Sequence, residues 1–414
     1  MLFETDNLIE RVILVGLDTS DNLDELKELA YTAGCQVVGQ VVQNRDRPHP
    51  HSYIGKGKIE ELKEEIEELG ANGVICDDEL TGSQIKNLAK YLDTKVMDRT
   101  MLILDIFARN AKSAEGIAQV EIAQQQYNLR HLVGLGTSLS RLGGGIGTRG
   151  PGEKKLETDR RAIRKRISEL TKELEDIRVH RSSQRKARQK KDAVVISLVG
   201  YTNAGKSTLM NALTHADVTA KDKLFSTLDT TTRKLVANNT DIKETLLTDT
   251  VGFIKKLPHT IVKAFRSTLE ELSFSALLIH VVDISGPGYK EQMEVVYKTL
   301  EELECGHIPI ITAFNKTDKV DVNQVYAADD RAEKTVKISA KTNDNIEELI
   351  SGIEEIILKQ KRRVSAVVPH REGKLLNVLY TECNILDKEY REEGVFLTAY
   401  VDERLYNMVE EYLV

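Results

Sequence analysis

One stretch constrains the fold of this chain more than any other: residues 200–207, Gly-Tyr-Thr-Asn-Ala-Gly-Lys-Ser. It fits the pattern G-x-x-x-x-G-K-[ST], in which two glycines let a loop curl so that its backbone N–H groups converge on a phosphate chain. The apolar run 193–199 predicts a buried parallel strand before the loop, and residues 208–213 predict a helix after it. The predicted phosphate-binding residues are Gly200, Tyr201, Thr202, Asn203, Ala204, Gly205, Lys206, Ser207 and Thr208.

Three later motifs indicate which nucleotide such a loop would bind. Residues 246–252 predict a strand ending in D-x-x-G, where Asp249 would hold Mg²⁺ through water and the Gly252 amide would sense the γ-phosphate. In the N-K-x-D sequence of residues 315–318, Asp318 can accept from guanine N1–H and the N2 amine, which adenine lacks. Residues 339–341 supply a backbone amide for guanine O6. The further nucleotide contacts are Asp249, Thr250, Val251, Gly252, Asn315, Lys316, Thr317, Asp318, Ser339, Ala340 and Lys341.

These motifs predict an enzyme that hydrolyses GTP to GDP and phosphate, with Lys206 on the β- and γ-phosphates and the Ser207 hydroxyl on Mg²⁺. A switch threonine must lie between Lys206 and Asp249, and position alone leaves Thr227, Thr230, Thr231 and Thr232 open. Ras-type enzymes carry a glutamine directly after D-x-x-G that orients the attacking water. Phe253 occupies that place here. We therefore expect slow intrinsic hydrolysis that a partner accelerates.

Residues 1–103 alternate short apolar runs with amphipathic helical runs, which predicts a small parallel α/β domain. His49 and His51 lack a third ligand nearby, so we expect an ordered loop there rather than a metal site. Residues 55–58, Gly-Lys-Gly-Lys, could bind phosphate at a helix N-terminus or contact RNA. A lone G-x-G is weak evidence, and both readings stay open.

Residues 104–191 predict a helical arm. A proline-free helical pattern runs from 104 to 132, and a glycine-rich stretch at 143–152 excludes regular structure. A heptad-like seam follows, so we expect an antiparallel coiled-coil hairpin with a glycine-rich tip and a basic linker at 181–191. The first helix places Ile117, Val120 and Tyr127 in the seam; the second places Leu156, Ile163, Ile167, Leu170, Leu174 and Ile177 there.

The charge of this arm differs from that of the whole chain. Between Lys154 and Lys191 there are 15 Lys and Arg against 6 Asp and Glu, whereas the formal charge of the whole chain is −7. The excess fits contact with an RNA backbone, and a solvated coiled-coil surface is the plainer alternative.

The remaining features place limits on the class of protein. Four cysteines lie far apart without a C-x-x-C pair, which predicts buried reduced thiols rather than zinc or disulfides. No apolar run approaches membrane-spanning length, and we expect a cytoplasmic protein. The last segment predicts a small βαβα domain with helices at 375–386 and 403–413. The domains expected are 1–103 (N-terminal α/β), 104–191 (helical arm), 192–360 (P-loop GTPase) and 361–414 (C-terminal).

Five stretches of the chain form a recognisable set, at residues 53–58, 144–153, 156–161, 200–208 and 225–229. They resemble the motifs of HflX-type GTPases, in the Obg-HflX group of translation-factor-related GTPases. The resemblance covers roughly residues 10–360. Lys154-Lys155 and Thr230 depart from the residues common in that family.

The resemblance implies a fold and a function. It implies an α/β chain: a small parallel N-terminal domain with a long coiled-coil arm, a P-loop GTPase domain and a small α+β C-terminal domain. Members bind the large ribosomal subunit with GTP bound, the arm tip points toward the peptidyl-transferase region, and several split stalled or hibernating ribosomes. Some members also act on ATP. The family pattern F-[AS]-T-L-D singles out Thr227 as the Mg²⁺-binding switch threonine, with Thr231 in reserve, and adds Phe225, Ser226, Leu228 and Asp229 to the nucleotide site.

The sequence therefore predicts a GTP-driven switch that binds the large ribosomal subunit and splits or rescues ribosomes, acting as a monomer. We expect Lys206, Thr227, Asp249 and Gly252 to act in hydrolysis, and Arg149, Arg160 and Arg161 to contact RNA. The alternatives are a GTP-regulated protein-binding scaffold and an RNA-remodelling NTPase that does not act on whole ribosomes.

Overall fold

The computed structural model separates the chain into two compact units. The first unit contains Met1–Arg178, Asp222–Asp229 and Lys256–Arg266, and the second contains Val179–Lys221, Thr230–Lys255 and Ser267–Val414. The described residues are 10–17, 23–139, 151–189, 194–214, 224–225, 227–228, 231–235, 245–258, 261, 264–265, 269–321, 327–401 and 403–414.

A four-stranded parallel sheet forms the centre of the first unit, in the order β2-β1-β3-β4. The side chains of β1, β3 and β4 are mostly buried on both faces, as in parallel strands covered by helices, whereas those of the edge strand β2 are mostly half-buried. The predicted parallel α/β domain is confirmed. The elements are β1 (Arg11–Gly16), α1 (Asp24–Thr32), β2 (Gln36–Val42), α2 (Lys56–Leu69), β3 (Gly73–Cys76), α3 (Gly82–Leu92), β4 (Lys95–Asp98) and α4 (Arg99–Asn110).

Local signals set the ends of these helices. Thr81 and Gln84 form a reciprocal capping box at the start of α3, and the Asp98 carboxylate accepts from the Met101 amide at the start of α4. Gly70 ends α2 in the left-handed region, with φ 59°.

The long helix predicted across residues 104–132 is interrupted. α4 ends at Asn110, Ala111 is extended, and α5 (Ala114–Leu139) begins after Ser113. The Ser113 hydroxyl accepts from the Gly116 amide at 2.9 Å, so a serine N-cap restarts the helix. The helical periodicity on both sides of this break concealed it.

α6 (Pro151–Gln189) pairs with α5. The predicted seam is confirmed at Leu170, which is buried against Ala118, Ile122 and Leu174, while Ile163, Ile167 and Ile177 are half-buried between exposed neighbours. Ile117 was placed wrongly, because its side chain is 50% exposed. Side-chain positions for Leu156 lie outside the described residues.

Both ends of α6 extend further than the sequence predicted. Pro151 and Gly152, expected in the irregular tip, are its first residues, because proline is well suited to the first turn of a helix. The segment expected to be a basic linker is helical as far as Gln189.

The second unit contains a six-stranded sheet in the order β10-β9-β8-β5-β7-β6, in which β6 is antiparallel to β7 and the other pairs are parallel. Single-turn 3₁₀ helices lie at Glu270–Phe274 and Thr317–Lys319. The elements are β5 (Val194–Gly200), α7 (Lys206–Thr214), β6 (Thr231–Lys234), β7 (Thr245–Asp249), β8 (Leu277–Asp283), α8 (Tyr289–Glu302), β9 (Ile310–Asn315), β10 (Lys334–Lys337) and α9 (Ile346–Lys359).

The C-terminal segment has one strand more than predicted. It comprises β11 (Arg362–Val368), α10 (Gly373–Glu382), β12 (Asn384–Arg391), β13 (Gly394–Val401) and α11 (Glu403–Val409), with sheet order β11-β13-β12. The helix expected to reach residue 386 ends at Glu382, so the βαβα expectation was wrong. β12 is a charged, mostly exposed edge strand, and such a strand lacks the apolar alternation that predicts a half-buried one.

All four cysteines are buried, as predicted. None of the helices among the described residues combines the length and apolarity that crossing a membrane requires.

Candidate functional site

The loop between β5 and α7 has a backbone that only glycine tolerates at two points. Gly200 has φ 151° and Gly205 has φ 95°. A Cβ atom on residue 200 would lie 2.3 Å from the Val281 carbonyl oxygen, and one on residue 205 would lie 2.3 Å from Asn315 Nδ2. The glycines of the motif are therefore required by conformation and by close approach.

The Lys206 ammonium is buried inside this loop. Its Nζ donates to the carbonyl oxygens of Gly200 at 3.1 Å and Tyr201 at 2.8 Å. Burial lowers the pKa of Lys206 to about 8, and the charge of Asp249 opposes that shift. A cation held among carbonyl oxygens in this way can transfer to a phosphate group, which compensates its charge better.

Two oxygen ligands suited to Mg²⁺ meet beside the loop. The Ser207 hydroxyl donates to Asp249 Oδ2 at 2.8 Å. Asp249 is fully buried and ends β7, which lies parallel to β5 with Leu198 opposite Asp249. Hydroxyl and carboxylate oxygens are the hard ligands that Mg²⁺ prefers, so the residues present fit this metal.

Gly252 and Phe253 close the other side of the loop. A Cβ atom on residue 252 would lie 2.9 Å from Thr202 Cα and 3.0 Å from Lys206 Nζ. The Phe253 amide donates to the Gly200 carbonyl at 3.1 Å, and the Thr202 amide donates to the Phe253 carbonyl at 2.8 Å.

The Phe253 side chain is 3% exposed and belongs to an apolar cluster with Val199, Leu272 and Val282. The sequence shows only that residue 253 is phenylalanine rather than glutamine. The structure adds that its backbone fixes the loop while its ring packs in the core. This side chain cannot orient a water molecule.

Asn315 connects three loops on the base-binding side. Its Nδ2 donates to the Ala204 carbonyl at 2.8 Å, and its Oδ1 accepts from the Ala340 amide at 2.9 Å. Asp318 Oδ1 accepts from the Ser339 hydroxyl at 2.8 Å, which orients the carboxylate predicted to select guanine. The N-K-x-D and 339–341 motifs therefore lie together with the phosphate loop.

Asp283 contacts the N-K-x-D motif, although the sequence did not single it out. Lys316 has φ 66°, and its Nζ lies 2.6 Å from Asp283 Oδ2. Asp283 ends β8, directly beside β9. The position of an acidic residue at the end of the neighbouring strand was the available signal.

The predicted switch residues fall in different units. Phe225 and Leu228 are buried and Thr227 is half-buried in the first unit, whereas the phosphate loop is in the second. Ser226, Asp229 and Thr230 lie outside the described residues. Thr231 and Thr232 belong to β6 and have partners there: the Thr231 hydroxyl donates to Met210 Sδ at 3.7 Å, and the Thr232 and Thr248 hydroxyls are 3.2 Å apart.

The arginines expected to contact RNA differ in their surroundings. Arg160 is half-buried and donates to the Leu132 carbonyl at 3.4 Å, whereas Arg161 is exposed and pairs with Glu157 at 3.2 Å. Arg149 lies outside the described residues.

The His49 region is an ordered loop, as expected. The Ser52 hydroxyl is 3.0 Å from His49 Nδ1, and backbone hydrogen bonds join His49 to Tyr53. Within the described ranges, no group of three His, Cys, Asp or Glu side chains could hold a metal ion. At the start of α2, Lys58 pairs with Glu61 at 2.6 Å and the Gly55 amide donates to Gln43.

Comparison with known proteins places this site in a family. Residues 20–108 match a family described as "GTP-binding GTPase N-terminal", residues 110–188 match "GTP-binding GTPase Middle Region", and residues 195–316 match "50S ribosome-binding GTPase".

Three curated relatives, each called "GTPase HflX", match most of the chain. The one from Lacrimispora saccharolytica is 51% identical over 98% of this chain and 96% of its own length. Those from Caldanaerobacter subterraneus subsp. tengcongensis and Escherichia coli are 48% and 40% identical, over 97% and 95% of this chain and 94% and 93% of their own lengths. The chain assembles the guanine-nucleotide motifs in one place and shares half of its residues with such a relative. It therefore belongs to the HflX family of GTPases.

Proposed function

We propose that this GTPase binds the large ribosomal subunit in its GTP-bound state, that it splits or rescues stalled or hibernating ribosomes, and that hydrolysis drives its release. The observation that carries the proposal is the match of residues 195–316 to a family described as a 50S ribosome-binding GTPase. The basic helix α6 supports it, because a positive surface suits contact with ribosomal RNA near the peptidyl-transferase region.

The nucleotide roles follow from the loop geometry. Lys206 transfers from its two carbonyl partners to the β- and γ-phosphates, and the Gly252 amide senses the γ-phosphate. Asp318, oriented by Ser339, selects guanine, and the Ala340 region supplies the amide for O6. We propose that every residue of the predicted nucleotide site contacts the bound nucleotide.

Mg²⁺ is the proposed cofactor, held by Ser207 and Thr227, with Asp249 acting through water. The metal supplies neutralisation of phosphate charge. The chain itself contributes the buried carboxylate of Asp249, which holds the Ser207 hydroxyl in place. Thr227 would join when GTP orders its segment.

For RNA contact we propose the outward-facing side of α6 together with the segment before it. Arg161 is exposed, so it can exchange Glu157 for a phosphate group at little cost. Arg160 bonds to a carbonyl of α5 and is expected to contribute partly through the stability of the helix pair. Arg149 completes the set predicted from the sequence.

We further propose a cytoplasmic monomer with domains at 1–103, 104–191, 192–360 and 361–414. α4, which runs from Arg99 to Asn110, crosses the first of these boundaries.

The test is co-sedimentation with purified ribosomes and subunits under GTP, a non-hydrolysable analogue, GDP and no nucleotide, repeated across salt concentrations. We expect binding to the large subunit only with a triphosphate, weakening as salt rises. Loss of intact ribosomes in the same gradients would show splitting. Ribosome disassembly that is equal under GDP would contradict the GTP-driven mechanism.

Arg161→Gln gives the matched test of the arm. Each phosphate contact adds about one unit to the slope of log affinity against log salt concentration. This variant should therefore bind ribosomes more weakly, and its affinity should depend less steeply on salt. Thr171→Ala, on the same helix and without a charge change, is the control. Absence of ribosome binding in every nucleotide state would instead favour a protein-binding scaffold.

A further inference from the structure

Two segments of the nucleotide-binding half of the sequence fold with the N-terminal unit. Residues 222–229 contain the predicted switch threonine, residues 256–266 follow the D-x-x-G motif, and both belong to the first unit. In GTPases these are the positions that rearrange with the γ-phosphate. The contacts that hold these segments in the first unit can therefore affect GTP binding and hydrolysis.

An aromatic cluster holds both segments to α4. The Phe107 ring contacts the Phe225 ring edge-on, with centroids 4.7 Å apart. It also contacts the Phe265 ring edge-on, with centroids 5.0 Å apart. All three rings are buried. Asn110, one turn further along α4, donates its Nδ2 to the Phe225 carbonyl at 2.8 Å. One helix of the N-terminal sheet domain thus contacts both segments.

An ion pair forms a second attachment. Lys256 Nζ lies 2.6 Å from Asp77 Oδ2, just after β3. Asp77 also accepts from Arg99 at 2.8 Å, and Arg99 pairs in turn with Glu25. The Asp77 side chain is only 10% exposed, so its charge interactions are less screened than those of a surface pair.

The preceding residue has a different partner. Lys255 Nζ lies 2.5 Å from Glu291 on α8, within the second unit. The chain passes from the second unit to the first between these two lysines. Two adjacent lysines are therefore attached to different units.

Two of the attached residues, one in each segment, have a left-handed backbone. Phe225 has φ 54° and Lys256 has φ 52°, which costs a residue with a Cβ atom about 1 kcal/mol or more. Such conformations persist where surrounding contacts enforce them, and they occur often in switch regions. The contacts of Phe107, Asn110 and Asp77 are of that kind.

We propose that Asp77 and Phe107 lower the affinity for GTP by holding the two switch segments in a resting arrangement, which must be released when a triphosphate orders those segments. Lys206 bonded to its own loop carbonyls belongs to the same resting arrangement. The free energy of these contacts opposes GTP binding, because a triphosphate must first release the segments. It leaves GDP binding unchanged, because GDP does not order them.

The test compares Lys256→Gln with Lys255→Gln in the full-length protein. Both variants lose one positive charge at adjacent positions, but only the first loses the Asp77 contact. We expect Lys256→Gln to bind a non-hydrolysable GTP analogue roughly two- to fivefold more tightly, with GDP affinity unchanged. Lys255→Gln should leave both affinities as in the wild type. Lys256→Arg should keep the wild-type ratio of GTP-analogue affinity to GDP affinity.

Phe107→Leu keeps the site apolar while removing both ring contacts. It should shift the ratio of GTP-analogue to GDP affinity in the same direction, by about five- to tenfold. A general loss of stability would change both affinities together, so the ratio separates positioning from folding. An unchanged or reduced ratio in Lys256→Gln, or equal effects of the two lysine variants, would overturn the proposal.

Discussion

At the scale of single residues, Lys206 shows how burial adjusts a charge for its task. Its ammonium is buried, with carbonyl oxygens as partners, and burial lowers its pKa to about 8. Phosphate groups restore the ordinary pKa, because they favour the charged form. We propose that Lys206 binds the phosphates, so we expect nucleotide binding to be linked to proton uptake by this residue.

We predict that affinity for GDP is nearly constant below about pH 7 and falls about tenfold between pH 7 and pH 9. The sign follows from the free protein, which loses the Lys206 proton as pH rises through 8 while the complex retains it. Titration calorimetry across this range, in buffers of different ionisation enthalpy, measures both affinity and proton uptake. Lys206→Met should bind weakly with little pH dependence, and a flat wild-type profile would contradict the prediction.

At the scale of elements, the ends of parallel strands bring the nucleotide motifs together. β5, β7 and β9 end at the same edge of one sheet, and their following loops carry the phosphate-binding, D-x-x-G and N-K-x-D motifs. Asn315 then joins the loops through hydrogen bonds to Ala204 and Ala340, both buried. A single side chain thus connects the phosphate-binding and base-binding sides.

Asn315→Ala should destabilise the second unit by about 2–4 kcal/mol, because it leaves two buried backbone groups without a partner. It should also weaken GDP binding. Gln360→Ala is the matched control in the same unit, since it removes one exposed amide hydrogen bond to the Ala276 carbonyl. We expect the control to cost less than about 1 kcal/mol. Chemical denaturation and GDP titration check both variants, and equal stability losses would argue against the connecting role.

At the scale of the whole molecule, the position after D-x-x-G bears on how the protein hydrolyses GTP. Phe253 occupies the place of the water-orienting glutamine, and its ring is buried in an apolar cluster. We therefore expect a partner to supply the group that orients the water. A ribosomal partner is consistent with the function we propose.

We predict slow GTP hydrolysis by the isolated protein and strong acceleration by large ribosomal subunits. Phe253→Gln should not raise the basal rate, and it should lower stability by roughly 2–4 kcal/mol, because an amide replaces a packed ring. Phe253→Leu, which stays apolar, should retain more of that stability. Phosphate-release assays with and without subunits measure the rates. Fast unstimulated turnover in the wild type would refute the prediction.

The sequence determined much of this protein by itself. Four motifs with fixed spacing specified a guanine-nucleotide site, because each depends on particular residue types in a short stretch, such as the glycines at 200 and 205. Alternating apolar runs specified the N-terminal parallel sheet, and heptad spacing specified the seam around Leu170. These are local patterns, and local patterns can be read along the chain.

The tertiary structure decided what depends on contacts between distant residues. The helix break after Asn110 and the edge strand β12 escaped detection because their signals, a serine cap and a charged strand, are weak in sequence. Only the fold shows Asp283 beside Lys316, and only the fold places Phe225 and Lys256 against Phe107 and Asp77. These pairs are separated by tens to more than a hundred positions, so packing of the chain, rather than any local pattern, creates them.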